Sequence, residues 1–238
     1  MQIIPLGENT FILKISDDIT INDNIVAQCL SDYIKENFYD SVVDVFHTYN
    51  EVCISFKKKC NKKKLLKNIS SQNICEHNKN KFIYHIPVHY GDKFALDLKY
   101  MSEELNLSTD EIIEIHSKKT YRIYFIGFLP LFPYLSDLDE RIHFQRKKTP
   151  RVRVKKGSVG IANNQTGIYT LDSPGGWQII GRTPVDFLDV DSNNPFKIES
   201  GNYIKFYAIN LQEYFLIEKL SKEKRFSIHK EIFEGEQI

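Results

Sequence analysis

The chain has 238 residues, of which 42% are hydrophobic and 26% charged, with a formal net charge of +1. That length accommodates one large domain or two modest ones, and two is the expectation. A near-neutral total gives no general attraction to nucleic acid or to an anionic membrane, and no run of about 18 apolar residues is available to cross a bilayer.

The opening Met1-Gln2-Ile3-Ile4-Pro5 lacks a basic segment followed by an apolar one, so a soluble, unexported, cytoplasmic protein is expected. The cysteines, Cys29, Cys53, Cys60 and Cys75, include no CxxC spacing, which predicts reduced thiols and no metal site.

In chain order, Thr10 to Ile15 reads as a strand, and a stripe of Ile21, Ile25, Cys29 and Tyr33 with Val26, Leu30 and Ile34 predicts a helix starting near Thr20. Val42 to Phe46 and Glu51 to Phe56 are strand-like, a lysine-rich helix follows around Leu65, and Lys81 to Val88 is another strand. Residues 1–85 therefore read as a small α+β domain. Lys57, Lys58, Lys59, Lys62, Lys63 and Lys64 lack interleaved aromatics and read as a solvated face.

Leu96, Leu98, Met101 and Leu105 suit a helix, and Ser108 with Glu111 forms a capping box opening another. Tyr121 to Phe128 is a strand. Six of the eleven glycines then fall between Gly157 and Gly181, separating β-prone pieces at Arg151 to Val154, Ser158 to Ala162, Gly167 to Leu171 and Trp177 to Arg182. Val185 to Val190 and Tyr203 to Ile209 complete a pattern of barrel or sandwich type over residues 86–220. The tail, residues 221–238, is charged and reads as a helix or a loosely held end.

Chemistry concentrates in the second half. Gly127 to Leu135 (GFLPLFPYL) sets two prolines and the aromatics Phe132 and Tyr134 just after a strand, a rigid wall for a ligand or a plug for an interface. Asn164, Gln165 and Thr166 sit in a glycine-bounded turn before Tyr169, where Gln165 offers both the donor and the acceptor an amide needs, or the turn bonds its own backbone. Ser173-Pro174-Gly175-Gly176-Trp177 leads to Arg182, which reads as an anion clamp or as the partner of Asp172 or Asp186. His116, His85 and His89 are acid or base candidates, or ordinary packed histidines. No GxxxxGK[ST], GxGxxG, GxSxG or HExxH motif occurs, and Ser173 is a poor nucleophile candidate.

Taken together, Gly127 to Leu135, Thr149-Pro150-Arg151, Gly157 to Ala162, Gln165 to Tyr169 and Ser173 to Pro184 resemble the KipI family, also called PxpB, the B component of 5-oxoprolinase. That family is related to allophanate hydrolase subunit 1 and to the carboxyltransferase-like part of urea carboxylase. The resemblance implies a small N-terminal α+β domain followed by a cyclophilin-like β-barrel, though a barrel does not itself imply prolyl isomerase activity. It also implies an ATP-using enzyme complex, with magnesium, in which a KipA-like C component and an A component join this chain to open 5-oxoproline to glutamate, the chain being inactive alone. The regulatory alternative is binding and inhibition of a sensor histidine kinase.

On that reading Arg182 holds a carboxylate or phosphoryl group, and Gln165 and Thr166 orient the lactam. Phe132, Tyr134 and Tyr169 wall the pocket with Gly175, Gly176 and Trp177, and His116 is a second-rank acid or base. The sequence departs from the family where Leu131 stands for Gly, Ser136-Asp137 for Gly-Gly, His89 for Cys and Phe144-Gln145 for Pro-Arg, which puts the filling of the pocket in question.

Overall fold

The structure is a computed structural model that describes residues 1–58, 61–70, 80–187 and 198–234. The chain divides into two compact units, with the division at Lys79 and Asn80.

The first unit runs β1 (Gln2–Pro5), β2 (Thr10–Lys14), α1 (Ile21–Asn37), β3 (Val42–His47), β4 (Glu51–Phe56) and α2 (Lys62–Ser70). Its antiparallel sheet has the order β1-β2-β4-β3. Thr20 caps α1 by accepting from the Asp23 amide at 3.1 Å, which fixes the start of the helix where an orphan N–H would otherwise remain. Val52, Ile54 and Phe56 alternate onto one face of β4, and Ala27, Leu30 and Ile34 recur along one side of α1; all six are buried in the same core. Lys62 is not merely solvated: its Nζ donates to Glu8 O at 2.6 Å and Asn9 Oδ1 at 2.7 Å. Cys29 and Cys53 form no disulfide among the described residues, and Cys60 and Cys75 lie outside them.

The second unit runs β5 (Phe82–Val88), α3 (Leu98–Leu105), α4 (Thr109–Lys118), β6 (Thr120–Ile126), β7 (Pro133–Leu135), β8 (Arg151–Val154), β9 (Ser158–Ala162), β10 (Gln165–Ile168), β11 (Ser173–Gly175), β12 (Gln178–Arg182), β13 (Tyr203–Ala208), α5 (Leu211–Lys222) and β14 (His229–Ile232). The expected capping box opens α4. A mixed eight-stranded sheet has the order β12-β9-β10-β7-β6-β13-β5-β14, and β8 pairs with β11 as a separate ribbon.

Three expectations are corrected here. The sheet is not a closed barrel: β12 meets the chain just after β5 only through the isolated bridge His89↔Arg182, made by two backbone hydrogen bonds of 2.9 Å. No strand forms over Thr183 to Phe187, and the rest of that expected element, residues 188–190, lies outside the described residues. The charged tail is not loose in its described part, because β14 adds to the sheet antiparallel to β5.

The departures from the family pattern also find their place. Leu131 and Asp137 have φ of +64° and +62°, the left-handed region that glycine enters freely. Both positions thus carry a backbone conformation that glycine would adopt without strain. Leu131 is 4% exposed in the main core, so its side chain adds apolar packing rather than filling a pocket. Asp137 belongs to a residue type that tolerates this conformation, and Tyr124 Oη donates to its Oδ2 at 2.6 Å.

Candidate functional site

The ladder of β12, β9, β10 and β7 decides which predicted residues can meet. Successive strand residues point to opposite faces, and directly paired residues share one. Gln165 pairs with Ala162, and Gly167 pairs with Gly160 and Tyr134, which puts Gln165 and Tyr134 on one face. Thr166 pairs with Ile161 and Leu135, which belong to the main core, so Thr166 faces the other way. Gln165 and Thr166 therefore cannot orient the same lactam.

Thr166 Oγ1 lies 2.8 Å from His116 Nε2 and donates to Gly160 O at 3.1 Å. His116 is fully buried, its Nδ1 lies 2.8 Å from Tyr90 Oη, and its ring stacks on Phe206 with centroids 4.6 Å apart. Burial pushes the imidazole down to about 3, so His116 is a neutral core residue and not the acid or base the sequence suggested. An unfolded histidine takes a proton below about pH 6.5, whereas the folded one does not until about pH 3. The unfolded state then binds more protons, so stability is full above pH 6.5 and is lost as the pH falls toward 3. Urea unfolding between pH 7.5 and 4.5 is expected to show this slope, and His116→Gln to flatten it.

The opposite face carries a separate aromatic core of Phe132, Tyr169 and Trp177 with Val154, Ala162 and Ile179, against which Tyr134 packs. Phe132 lies 5.3 Å from both Tyr169 and Trp177 in edge-on contacts, and Tyr134 is 6.0 Å from Trp177. Glycines make this packing possible. A Cβ on Gly175 would stand 2.3 Å from Tyr169 Oη, and one on Gly167 would stand 3.0 Å from the Phe132 ring. Gly175 thus seats an aromatic rather than offering its backbone to a ligand. Gly176 has only ordinary contacts at its Cβ position, and its carbonyl accepts from the Lys147 amide at 2.7 Å.

Two polar groups complete this face. Gln165 Oε1 is buried with no hydrogen-bond partner among the described residues. The Arg146 guanidinium lies over the Trp177 ring, 5.7 Å from its centroid. Burial pushes the Tyr169 hydroxyl up to about 12 and raises that of Tyr134, with Arg146 pulling both back. Arg146 was missed in the sequence, although it stands three residues before the Thr149-Pro150-Arg151 motif.

Arg146 also lines a cleft of about 700 Å³ formed by Tyr100, Glu104 and Leu105, residues 143–149 and Gln178. Gln178, 3% exposed, holds the rim by donating from Nε2 to Gln145 O at 2.9 Å, and its Oε1 is buried with no hydrogen-bond partner among the described residues. Phe144 exchanges two backbone hydrogen bonds with Asn163, so the rim runs from the β9–β10 turn toward Gly176. Behind it Asp97, 3% exposed, accepts from Arg151 at 2.6 Å, from Lys147 at 3.3 Å and from the Ile179 amide at 2.7 Å. Asp97 too was missed, having only a helix-start context to signal it.

Arg182 does not join this face. It ends β12 four residues beyond Gln178, about 13 Å along the strand. Its Nε donates to Lys156 O at 2.7 Å, and its guanidinium lies 5.7 Å from the Phe94 ring centroid. Of the two expected acids, Asp172 takes the Lys156 amide, Arg153 and Lys155, which hold its carboxyl down to about 2, and Asp186 binds Lys156 at 2.7 Å. His89 bridges the same end of β12, with Nδ1 3.0 Å from Ile209 O.

A family model described as "Carboxyltransferase domain, subdomain C and D" matches residues 1–198. The chain belongs to that family. It is 31% identical over 227 residues to the B component of 5-oxoprolinase from Bacillus subtilis, spanning 90% of this chain and 95% of that one. It is 43% identical over 127 residues to the protein of the same name in Haemophilus influenzae, spanning 53% of this chain and 60% of that one. The fold matches a crystal structure of the Kluyveromyces lactis urea amidolyase with a TM-score of 0.82 at 19% identity, covering 97% of this chain and 16% of the larger one. These relatives lend no support to the kinase-regulator alternative. Among the described residues no helix is long and apolar enough to cross a membrane.

Proposed function

We propose that this chain is the B component of an ATP-dependent 5-oxoprolinase, which opens 5-oxoproline to L-glutamate together with the A and C components. What carries the reading is the aromatic face with its unpartnered Gln165 Oε1 and with Arg146, in a chain 31% to 43% identical to proteins of that name. Opening the lactam breaks the ring C–N bond, forms a C–O bond from water at the carbonyl carbon and leaves a proton on nitrogen. In this reading the flat ring rests on Tyr134 and Trp177, Gln165 Oε1 accepts the lactam N–H, and Arg146 takes the substrate carboxylate in a charge-assisted pair. Arg146 assumes the clamp role first expected of Arg182.

The residues lining this cleft do not make an ATP-magnesium site. A triphosphate needs several converging donors. Here Lys147 and Arg151 are already committed to Asp97, leaving Arg146 and Lys148, and Glu104 is the cleft's lining carboxylate. In this reading ATP, which would supply the activation of the lactam carbonyl, is held by the partner proteins of the complex or shared with them. His116 is turned into the core and the Tyr169 hydroxyl is held at about 12, so neither carries a proton for this face, while His143 lines the neighbouring cleft with its Nε2 2.8 Å from the Leu138 carbonyl oxygen. In this reading the chain, with ATP held by its partners, is inactive alone. Release of ADP and glutamate on adding 5-oxoproline is expected from the mixture of all three components and not from this chain. Turnover by the chain alone, or none by an assembled complex, would overturn the reading.

A further inference from the structure

The edge of the large sheet carries a cluster that the lactam reading leaves unused. β14 pairs with β5 in a register that sets His229 directly opposite His85 and Glu231 opposite Ile83. Residues two apart on a strand share a face, so His229 and Glu231 project on the side of His85. The two imidazole centroids are 5.0 Å apart, and Glu231 Oε1 lies 2.9 Å from His85 Nε2. One ligand atom from each residue lies within 4.8 Å of the others. Neutral imidazoles with a carboxylate are the donor set that borderline divalent ions select over magnesium or calcium.

We propose that His85, His229 and Glu231 form a binding site for a divalent d-block cation of the Zn²⁺ class, with water completing the coordination. Bonds of about 2.0–2.2 Å need the three donors somewhat closer together than they stand. His229 and Glu231 are exposed, so side-chain rotation closes that gap without moving the ladder. The His85–Glu231 hydrogen bond gives way to the two metal bonds. Lys205 stands opposite His85 on β13, and Lys230 is turned to the Phe82 ring, 4.7 Å from its centroid. The site uses histidine and carboxylate, which is why cysteine spacing in the sequence gave no sign of it.

The consequence is mechanical. β14 is the last strand of the sheet, all four of its residues are exposed, and β5 is its strand neighbour. A metal shared between β5 and β14 fastens the C-terminal strand in place.

The test uses the full chain without a polyhistidine tag, stripped with a chelator and titrated with ZnCl₂. One Zn²⁺ per chain is expected, with a rise in the thermal midpoint and slower hydrogen exchange at the β14 amides. His229→Ala and the near-isosteric Glu231→Gln, both checked by circular dichroism, should each bind at least ~10-fold more weakly, since even outer-shell losses have effects of that order. Failure of the unmodified chain to bind Zn²⁺, or wild-type affinity in both variants, overturns the proposal.

Discussion

Replacing Asp97 by alanine is expected to destabilise the second unit by about 3 kcal/mol, read from the midpoint of urea unfolding at constant slope. The carboxylate side chain is 4% exposed, and the partners Arg151 and Lys147 are 23% and 29% exposed at theirs. Breaking a buried pair by removing one member costs about 3–5 kcal/mol, and the lower end applies because both cations retain some access to water. The Ile179 amide, bound at 2.7 Å, adds a buried donor left without its acceptor. Asp97→Asn keeps the shape and one acceptor oxygen, so it should recover part of the loss, and the difference between the variants isolates the charge. An alanine effect below about 0.5 kcal/mol, the range of ordinary surface changes, would mean that the hub does not hold the rim.

That hub shows where sequence reading stops. The strand over Glu51 to Phe56 and the capped α4 were legible because local pattern and final environment agree, whereas the helix after Thr20 was legible as a helix but buries Asn24, Ala27, Leu30, Ser31 and Ile34, only two of them from the expected stripe. The aromatic set Phe132, Tyr134, Tyr169 and Trp177 was legible as motif residues, and the structure brings it together. Register was not legible. The β10 strand starts at Gln165, two residues before the expected Gly167, and that start fixes Gln165 and Thr166 on opposite faces. Arg182 looked poised for a ligand because its glycine neighbour was visible and its partner, the Lys156 carbonyl, was not. Asp97 and Arg146 act through residues about fifty and thirty positions away along the chain, Arg151 and Trp177, and no local pattern encodes such pairings. The strands β1, β7 and β11 span three or four residues each, too short for alternation to register.

Changing Gln165 to leucine is expected to move stability and turnover in opposite directions. A buried acceptor without a partner costs about 1–3 kcal/mol in the free protein, and leucine of similar size removes that penalty, so unfolding should shift toward greater stability by about 1 kcal/mol. In the assembled complex the same change deletes the acceptor for the lactam N–H, and a fall in kcat/KM of about 100-fold is expected. Gln178→Leu supplies the control. Its Nε2 already holds Gln145 O at 2.9 Å, so that variant also loses a rim contact, and stability should fall or stay level. A Gln165→Leu protein that is less stable would mean that the amide is engaged within the fold. One that is more stable with unchanged turnover would take Gln165 out of the lactam site and leave Arg146 and the aromatic wall to hold the substrate without it.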